Sequence, residues 1–214
     1  MNSTRKPPTP GTTPLTLSDR ARRFFGWLSE PATRRLARWG VTPNLLTGVG
    51  ALANLGVGLL AARGHLVLAG GLWLAGGLFD GLDGALARRT GTTSRFGAFL
   101  DSTLDRYSDA FVLTGLMWYA GDRGQLLEAR LAVVALVGTL LSSYTRARAE
   151  SQGIECKVGL LTRLERFLLV AATLITQQVT IGLIALSILT HLTVLQRILH
   201  VRREARRLAD VAKR

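Results

Sequence analysis

From residue 44 onward, long apolar runs alternate with short polar stretches. The runs fall at roughly 44–62, 66–87, 97–120, 127–145, 162–179 and 181–199, and each approaches the ~20 residues a helix needs to cross a bilayer. Lipid offers the backbone no hydrogen-bonding partner, so runs of this length are read as helices. A different pattern precedes them. In "LSDRARRFFGWLSEPATRRLARWGV", Phe24, Phe25, Trp27, Leu28, Leu36 and Trp39 recur at helical spacing while arginines fill the other face. That is an amphipathic helix lying in the membrane interface, capped by Ser18-Asp19 and broken near Pro31. The expected fold is therefore an all-α integral membrane protein, six transmembrane helices preceded by an N-terminal amphipathic interfacial helix. Its divisions are a Pro- and Thr-rich disordered tail without a secretory signal (1–16), the juxtamembrane helix (17–40), the six-helix domain (41–203) and a basic cytoplasmic tail (204–214).

Composition agrees with a polytopic protein, since 48% of the 214 residues are hydrophobic and 23 are glycine. The glycines at 48, 50, 56, 58, 70, 71, 76 and 77 suit close helix packing. The net charge of +13 suggests either nucleic acid or an anionic membrane surface as partner. Its distribution decides. If six helices alternate, and Arg197 near the end of the last run is counted with the C-terminal segment, all but four of the 27 Lys and Arg residues belong to one side, the exceptions being Arg63, Arg123 and Arg130 opposite and Arg106 within a span. This asymmetry places both termini in the cytoplasm of a multi-pass protein of the cell membrane. No soluble basic surface interleaved with aromatics is visible, which argues against nucleic acid. Cys156 is the sole cysteine, so it can form neither an internal disulfide nor a metal cluster.

One polar feature breaks the apolar pattern. "DGLDGALARRTGTTSRFGAFLDSTLD", residues 80–105, holds Asp80, Asp83, Asp101 and Asp105 at cytoplasmic helix ends, although aspartate is costly to place in lipid. At ~100° per residue, Asp80, Asp83, Gly84, Ala87 and Arg88 share about one third of a helix circumference, and Gly97, Asp101 and Asp105 do the same on the next helix. The short connection predicts that the two helices are antiparallel neighbours with facing acidic stripes. Converging carboxylates repel. Arg88 supplies one counter-charge, and Arg106 points elsewhere if Asp101 and Asp105 face inward. The remaining compensation is read as two divalent cations, Mg2+ or Mn2+, because carboxylates alone select hard ions. Such a pair can clamp a diphosphate. Two competing readings stand beside this one. Intramembrane polar residues can simply bond helices together, and acids can serve a cation-coupled transporter, although those acids are expected nearer mid-membrane.

The same stretch reads D-x-x-D-G-x-x-A-R, eight residues, then G-x-x-x-D-x-x-x-D. This resembles the signature of the CDP-alcohol phosphatidyltransferases at all eight positions: Asp80, Asp83, Gly84, Ala87, Arg88, Gly97, Asp101 and Asp105. "GVTPNLLT" at 40–47 is similar to that family's entry into its first transmembrane helix. The resemblance implies transfer of a phosphatidyl group from a CDP-linked lipid to the hydroxyl of a small polar alcohol, with release of CMP. It further implies Asp80, Asp83, Asp101 and Asp105 as metal ligands, with Asp105 also deprotonating the attacking hydroxyl. Asn44, Gly84, Arg88 and Ser94 would bind the CDP-alcohol. Ser94 and Asn44 could equally cap a helix. A homodimer in contact with membrane lipids, active on its cytoplasmic side, is the implied assembly.

"SSYTRARAESQG" and "TRLERF" carry arginines at helix ends around one cytoplasmic opening. They read either as anchors for anionic headgroups or as ligands of an acceptor phosphate. The pattern resembles the branch making phosphatidylinositol phosphate, and the resemblance implies that Ser143, Arg146, Arg148, Arg163, Arg166 and Arg206 bind the acceptor phosphate. Asn44 departs from that branch, some members of which are acidic there, so phosphatidylglycerophosphate synthesis stays the alternative. Choline and ethanolamine acceptors are disfavoured by so many arginines. His65, His191 and His200 lie apart and read as interfacial or packing residues. Asp109, one turn beyond Asp105, could pair with Arg106 or Ser108 or support the metal site.

Overall fold

The computed structural model describes residues 30–212, apart from the side chains of Leu78, Asp80, Val211 and Ala212. Six helices follow one another: α1 (Pro43–Ala62), α2 (Leu66–Thr90), α3 (Arg95–Gly121), α4 (Leu126–Ser151), α5 (Arg163–Thr176) and α6 (Val179–Ala212). Among the described residues there is no strand. A shorter helical stretch, residues 30–38, precedes α1; the expected break near Pro31 falls at the edge of the described residues. The expected tail (1–16), and residues 17–29 of the expected amphipathic helix with Phe24, Phe25, Trp27 and Leu28, lie outside the described residues.

Three of the helices begin at a side-chain cap. Thr42 accepts from the Leu45 amide at 3.3 Å and Pro43 opens α1, the position where a missing N–H costs nothing. Ser94 accepts from the Gly97 amide at 2.9 Å and starts α3. Thr162 and Glu165 form a reciprocal capping box at α5.

The helices pack as a closed ring, α1–α3–α4–α6–α5–α2 and back to α1. Glycines permit the tightest crossings. A Cβ at Gly115 would strike the Gly58 carbonyl, and one at Gly77 would strike the Phe167 ring; small residues let backbones approach where no hydrophobic effect pulls them together. Gly48, Gly56 and Gly71 instead face open space. Trp73 ties α2 to α5, stacking on Phe167 at 5.3 Å and donating to its carbonyl at 3.1 Å. Val57, Ala61, Val112, Leu116, Leu174, Leu183 and Leu186 fill the interior. Outside, Leu52, Leu68, Val134, Ile181 and Ile188 are exposed, as expected of a surface solvated by lipid tails.

The ring corrects the expectation for the acidic helices. α2 and α3 do not pack extensively on each other; α1 packs against both. Residues 91–94 join their ends, and with few contacts between them a cleft separates the two helices. Four helices, α1, α2, α4 and α6, are long and apolar enough to cross a bilayer. Charge interrupts α3. α5 has 14 residues, about 21 Å at 1.5 Å per residue, and stops where Gln177 turns left-handed at φ 58°. α6 runs well past the expected end at 199, because no Gly or Pro follows Gly182 to stop it.

Candidate active site

The acidic stretch is built around Asp83, which is 8% exposed. Thr47 of α1 donates to its Oδ2 at 2.7 Å and the Gly84 amide donates to its Oδ1 at 2.5 Å. Asp101, across the cleft on α3, is half-buried and lies close enough to Asp83, Arg163 and Arg106 to feel all three charges. Asp105 follows one turn later, 14% exposed at its side chain, and receives Arg163 Nη2 at 2.5 Å and Arg106 Nη1 at 3.6 Å. Arg106 therefore turns toward the acids, against expectation. The main counter-charges are Arg163 and Arg106 rather than Arg88, whose Nη1 would be 3.3 Å from a Cβ at Gly84.

The residues expected to hold the CDP-alcohol share one end of the cleft. A Cβ on Gly97 would meet Ser94 Oγ at 3.1 Å and Asn44 Oδ1 at 3.3 Å, so these polar tips converge beside bare backbone. Ser94 also serves as the α3 cap. Arg88 is exposed and lies along Gly84.

A cavity of about 880 Å³ opens between α3, α4, α5 and α6. Asp101 and Asp105 stand on its α3 wall, while Ser143, Arg146, Arg163 and Arg166 line the others. Five arginines face three carboxylates there: Arg106, Arg146, Arg163, Arg166 and Arg197 against Asp101, Asp105 and Glu150. The cavity is therefore net cationic. Arg148 and Arg206 are not on its wall; Arg148 reaches Ser151 Oγ at 3.5 Å at the end of α4, and Arg206 is exposed on α6. Asp109 takes Arg166 Nη2 at 2.8 Å, not Arg106 or Ser108. His191 and His200 each contact a backbone carbonyl, of Ser187 and Glu155, at 2.9 Å.

Arg197 is a site residue that sequence reasoning missed, having grouped it with the basic C-terminal end. It is 4% exposed, donates to the Val158 carbonyl at 3.0 Å, to Ser142 Oγ at 3.0 Å and to the Ser142 carbonyl, and so pins residues 152–162 and α4 to α6. Its signal was an arginine inside the apolar run "HLTVLQRILH", since intramembrane charge marks function by default. Thr47 was also missed, and no spacing rule singles it out.

Does this donor set suit a divalent cation? Among the described residues no three His, Cys, Asp or Glu side chains close on one point, and Asp80 is not among those side chains. The donors that are described are carboxylates alone. Asp83 is fixed by two hydrogen bonds and Asp101 faces it across the cleft. That chemistry fits Mg2+ or Mn2+ with Asp80 one turn before Asp83.

A family profile for the CDP-alcohol phosphatidyltransferases matches residues 40–198. The chain belongs to this family. A phosphatidylinositol phosphate synthase of Cutibacterium acnes is 39% identical over 199 residues, covering 83% of this chain and 95% of that one. An archaetidylinositol phosphate synthase of Pyrococcus horikoshii is 38% identical over 170 residues, 79% of this chain and 88% of its own. The crystal structure of Mycobacterium tuberculosis phosphatidylinositol phosphate synthase with CDP-DAG bound superposes with a TM-score of 0.78 at 33% identity, covering 81% of this chain and 92% of that one. The same enzyme has been solved with manganese and citrate (TM-score 0.74, 32% identity, covering 81% of this chain and 88% of that one). Family membership and the apolar helices make this a multi-pass membrane phosphatidyltransferase of phospholipid biosynthesis. The transporter and scaffold readings fall away.

Proposed function

We propose that this chain transfers the phosphatidyl group of CDP-diacylglycerol to a hydroxyl of inositol phosphate and releases CMP, as a six-span homodimer with its site and both termini facing the cytoplasm. The observation that carries the reading is the cationic cavity whose α3 wall bears Asp101 and Asp105. A net positive, water-open chamber suits an anionic acceptor and repels choline or ethanolamine. Its volume falls in the roughly 300–1,000 Å³ range of small-molecule sites. The names of the relatives supply the inositol.

Asp80, Asp83, Asp101 and Asp105 would hold two divalent cations, Mg2+ or Mn2+, which when bound neutralise diphosphate charge. Arg88, beside Gly84, and the Asn44–Ser94 pair would orient the CDP end. Asp105 would then take the proton of the acceptor hydroxyl, whose oxygen attacks the lipid-side phosphorus as the bond to CMP breaks. A hydroxyl is a weak nucleophile, so a carboxylate within hydrogen-bond reach is what the step needs. Arg146, Arg163 and Arg166 would receive the acceptor's phosphate, a task suited to the guanidinium fork. Arg163 has to change partners to do so, and its 56% side-chain exposure leaves it room to swing.

The test is CMP release from CDP-diacylglycerol with inositol phosphate, glycerol phosphate or free inositol. Turnover with inositol phosphate above the other two supports the reading. Preference for glycerol phosphate moves the acceptor to the phosphatidylglycerophosphate branch, and no turnover with any of them refutes the assignment.

A further inference from the structure

Asp109 has no place in the reaction described above. It nonetheless sits one helical turn inside Asp105 and forms the inner of two rungs between α3 and α5. In the outer rung Asp105 meets Arg163, whose side chain is 56% exposed. In the inner rung Asp109 meets Arg166 at 2.8 Å, with the two side chains only 12% and 7% exposed. α3 and α5 do not pack extensively on each other, so the two ion pairs bridge the interval between them.

Stability alone gives this inner pair little reason to exist. A buried ion pair gains about as much as a well-packed apolar pair of the same size. Arg166 also lies in the first turn of α5, where the helix dipole disfavours a cation. Its guanidinium lines the large cavity, and its buried Nε has no partner. A guanidinium held at a cavity wall with one Nη on Asp109 can offer its other Nη to an anion there. Asp109 takes one Nη and fixes the plane of the fork; the other donors stay available. Asp109 and Asp105 also border a second cavity of about 30 Å³, with Asn54, Ser108 and Arg163 on one side and Trp73 and Phe167 on the other, which is room for a water.

We infer that Asp109 is a positioning residue for the acceptor: it holds Arg166 at a fixed place relative to Asp105, so that a phosphate gripped by Arg166 brings the acceptor hydroxyl to the base. This rests on the phosphorylated-acceptor reading given above. The paired arginines divide the labour, with exposed Arg163 changing partners and buried Arg166 staying put.

The test uses the full chain in mixed micelles containing CDP-diacylglycerol and Mn2+. Asp109→Asn is compared with wild type, and Asp109→Asn/Arg166→Gln with Arg166→Gln alone. The expected result is an acceptor KM raised at least about tenfold in Asp109→Asn, a donor KM within about twofold, and no further effect of Asp109→Asn once Arg166 is glutamine. An unchanged acceptor KM, an equal rise in donor KM, or added loss in the Arg166→Gln background overturns the inference. If Asp109→Asn alone folds poorly, Asp109→Glu, which keeps the charge and displaces it by one methylene, takes its place: the same rise in acceptor KM supports the inference and an unchanged acceptor KM overturns it. A wild type that turns over no phosphorylated acceptor sinks the functional reading and this inference with it. A wild type that turns over beside an unaltered Asp109→Asn sinks this inference alone.

Discussion

Replacing Thr47 by Val removes one hydrogen bond and almost no volume. The Thr47 hydroxyl donates to Asp83 Oδ2 at 2.7 Å and also lies 3.0 Å from the Pro43 carbonyl. One proton cannot serve both fully, and the charged carboxylate is the stronger acceptor. Hydrogen bonds to charged groups contribute about 1.5–3 kcal/mol. Competition from Pro43 places this one near the lower end, about 1.5–2 kcal/mol, or about ten- to thirtyfold in an equilibrium constant. The loss falls on the orientation of a proposed metal ligand, so it should be read in cation affinity. The assay is CMP release as a function of Mn2+ in wild type, Thr47→Val and Thr47→Ser. Half-saturation should move up by that factor in the valine variant and stay near wild type in the serine variant. A valine variant with wild-type Mn2+ dependence would refute the claim that Thr47 orients a metal ligand.

Other consequences can be measured separately. Asp105→Asn should cut turnover by about 10²–10⁴ while the protein still binds CDP-diacylglycerol; activity near wild type removes Asp105 as base. Gly115→Ala places a methyl against the Gly58 carbonyl and should cost about 1–3 kcal/mol in thermal stability, whereas Gly71→Ala, which faces open space, should cost nothing measurable. Arg197→Met strands the Val158 carbonyl that the guanidinium now satisfies, a loss of about 1–3 kcal/mol, while the Ser142 carbonyl keeps the Thr145 hydroxyl. Its melting point should fall and proteolysis within 152–162 should quicken; unchanged cleavage would contradict the anchoring role.

The helices and the acidic motif were legible in the sequence because each rests on local periodicity. Apolar runs placed the starts of all six helices within a few residues, and Asp101 lies close enough to feel the charge of Asp83 on the other acidic helix. What was not legible depends on how helices associate. The spacing of Asp83 and Asp101 says nothing of α1 standing between their helices, or of Thr47 reaching Asp83 from there. Arg106 was turned outward by a helical-wheel argument, yet a long guanidinium bends back around its own helix to reach Asp105. Arg148 and Arg166 look alike as basic residues at helix ends, but only the ring geometry turns Arg166 inward and leaves Arg148 beside Ser151. Arg197 was concealed by its neighbours in the basic C-terminal count. The end of α5 depends on a left-handed Gln177, which has no sequence signature comparable to a glycine.

The central claim is that the acidic faces of α2 and α3 close on divalent ions, and direct counting of bound Mn2+ tests it without requiring turnover. Titration of the purified protein followed by electron paramagnetic resonance should show two ions per chain, close enough for their spins to couple. Both should be lost or weakened together when Asp83 and Asp101 are changed to Asn. Absence of bound Mn2+ in the wild type, or the same binding after both changes, would contradict the account.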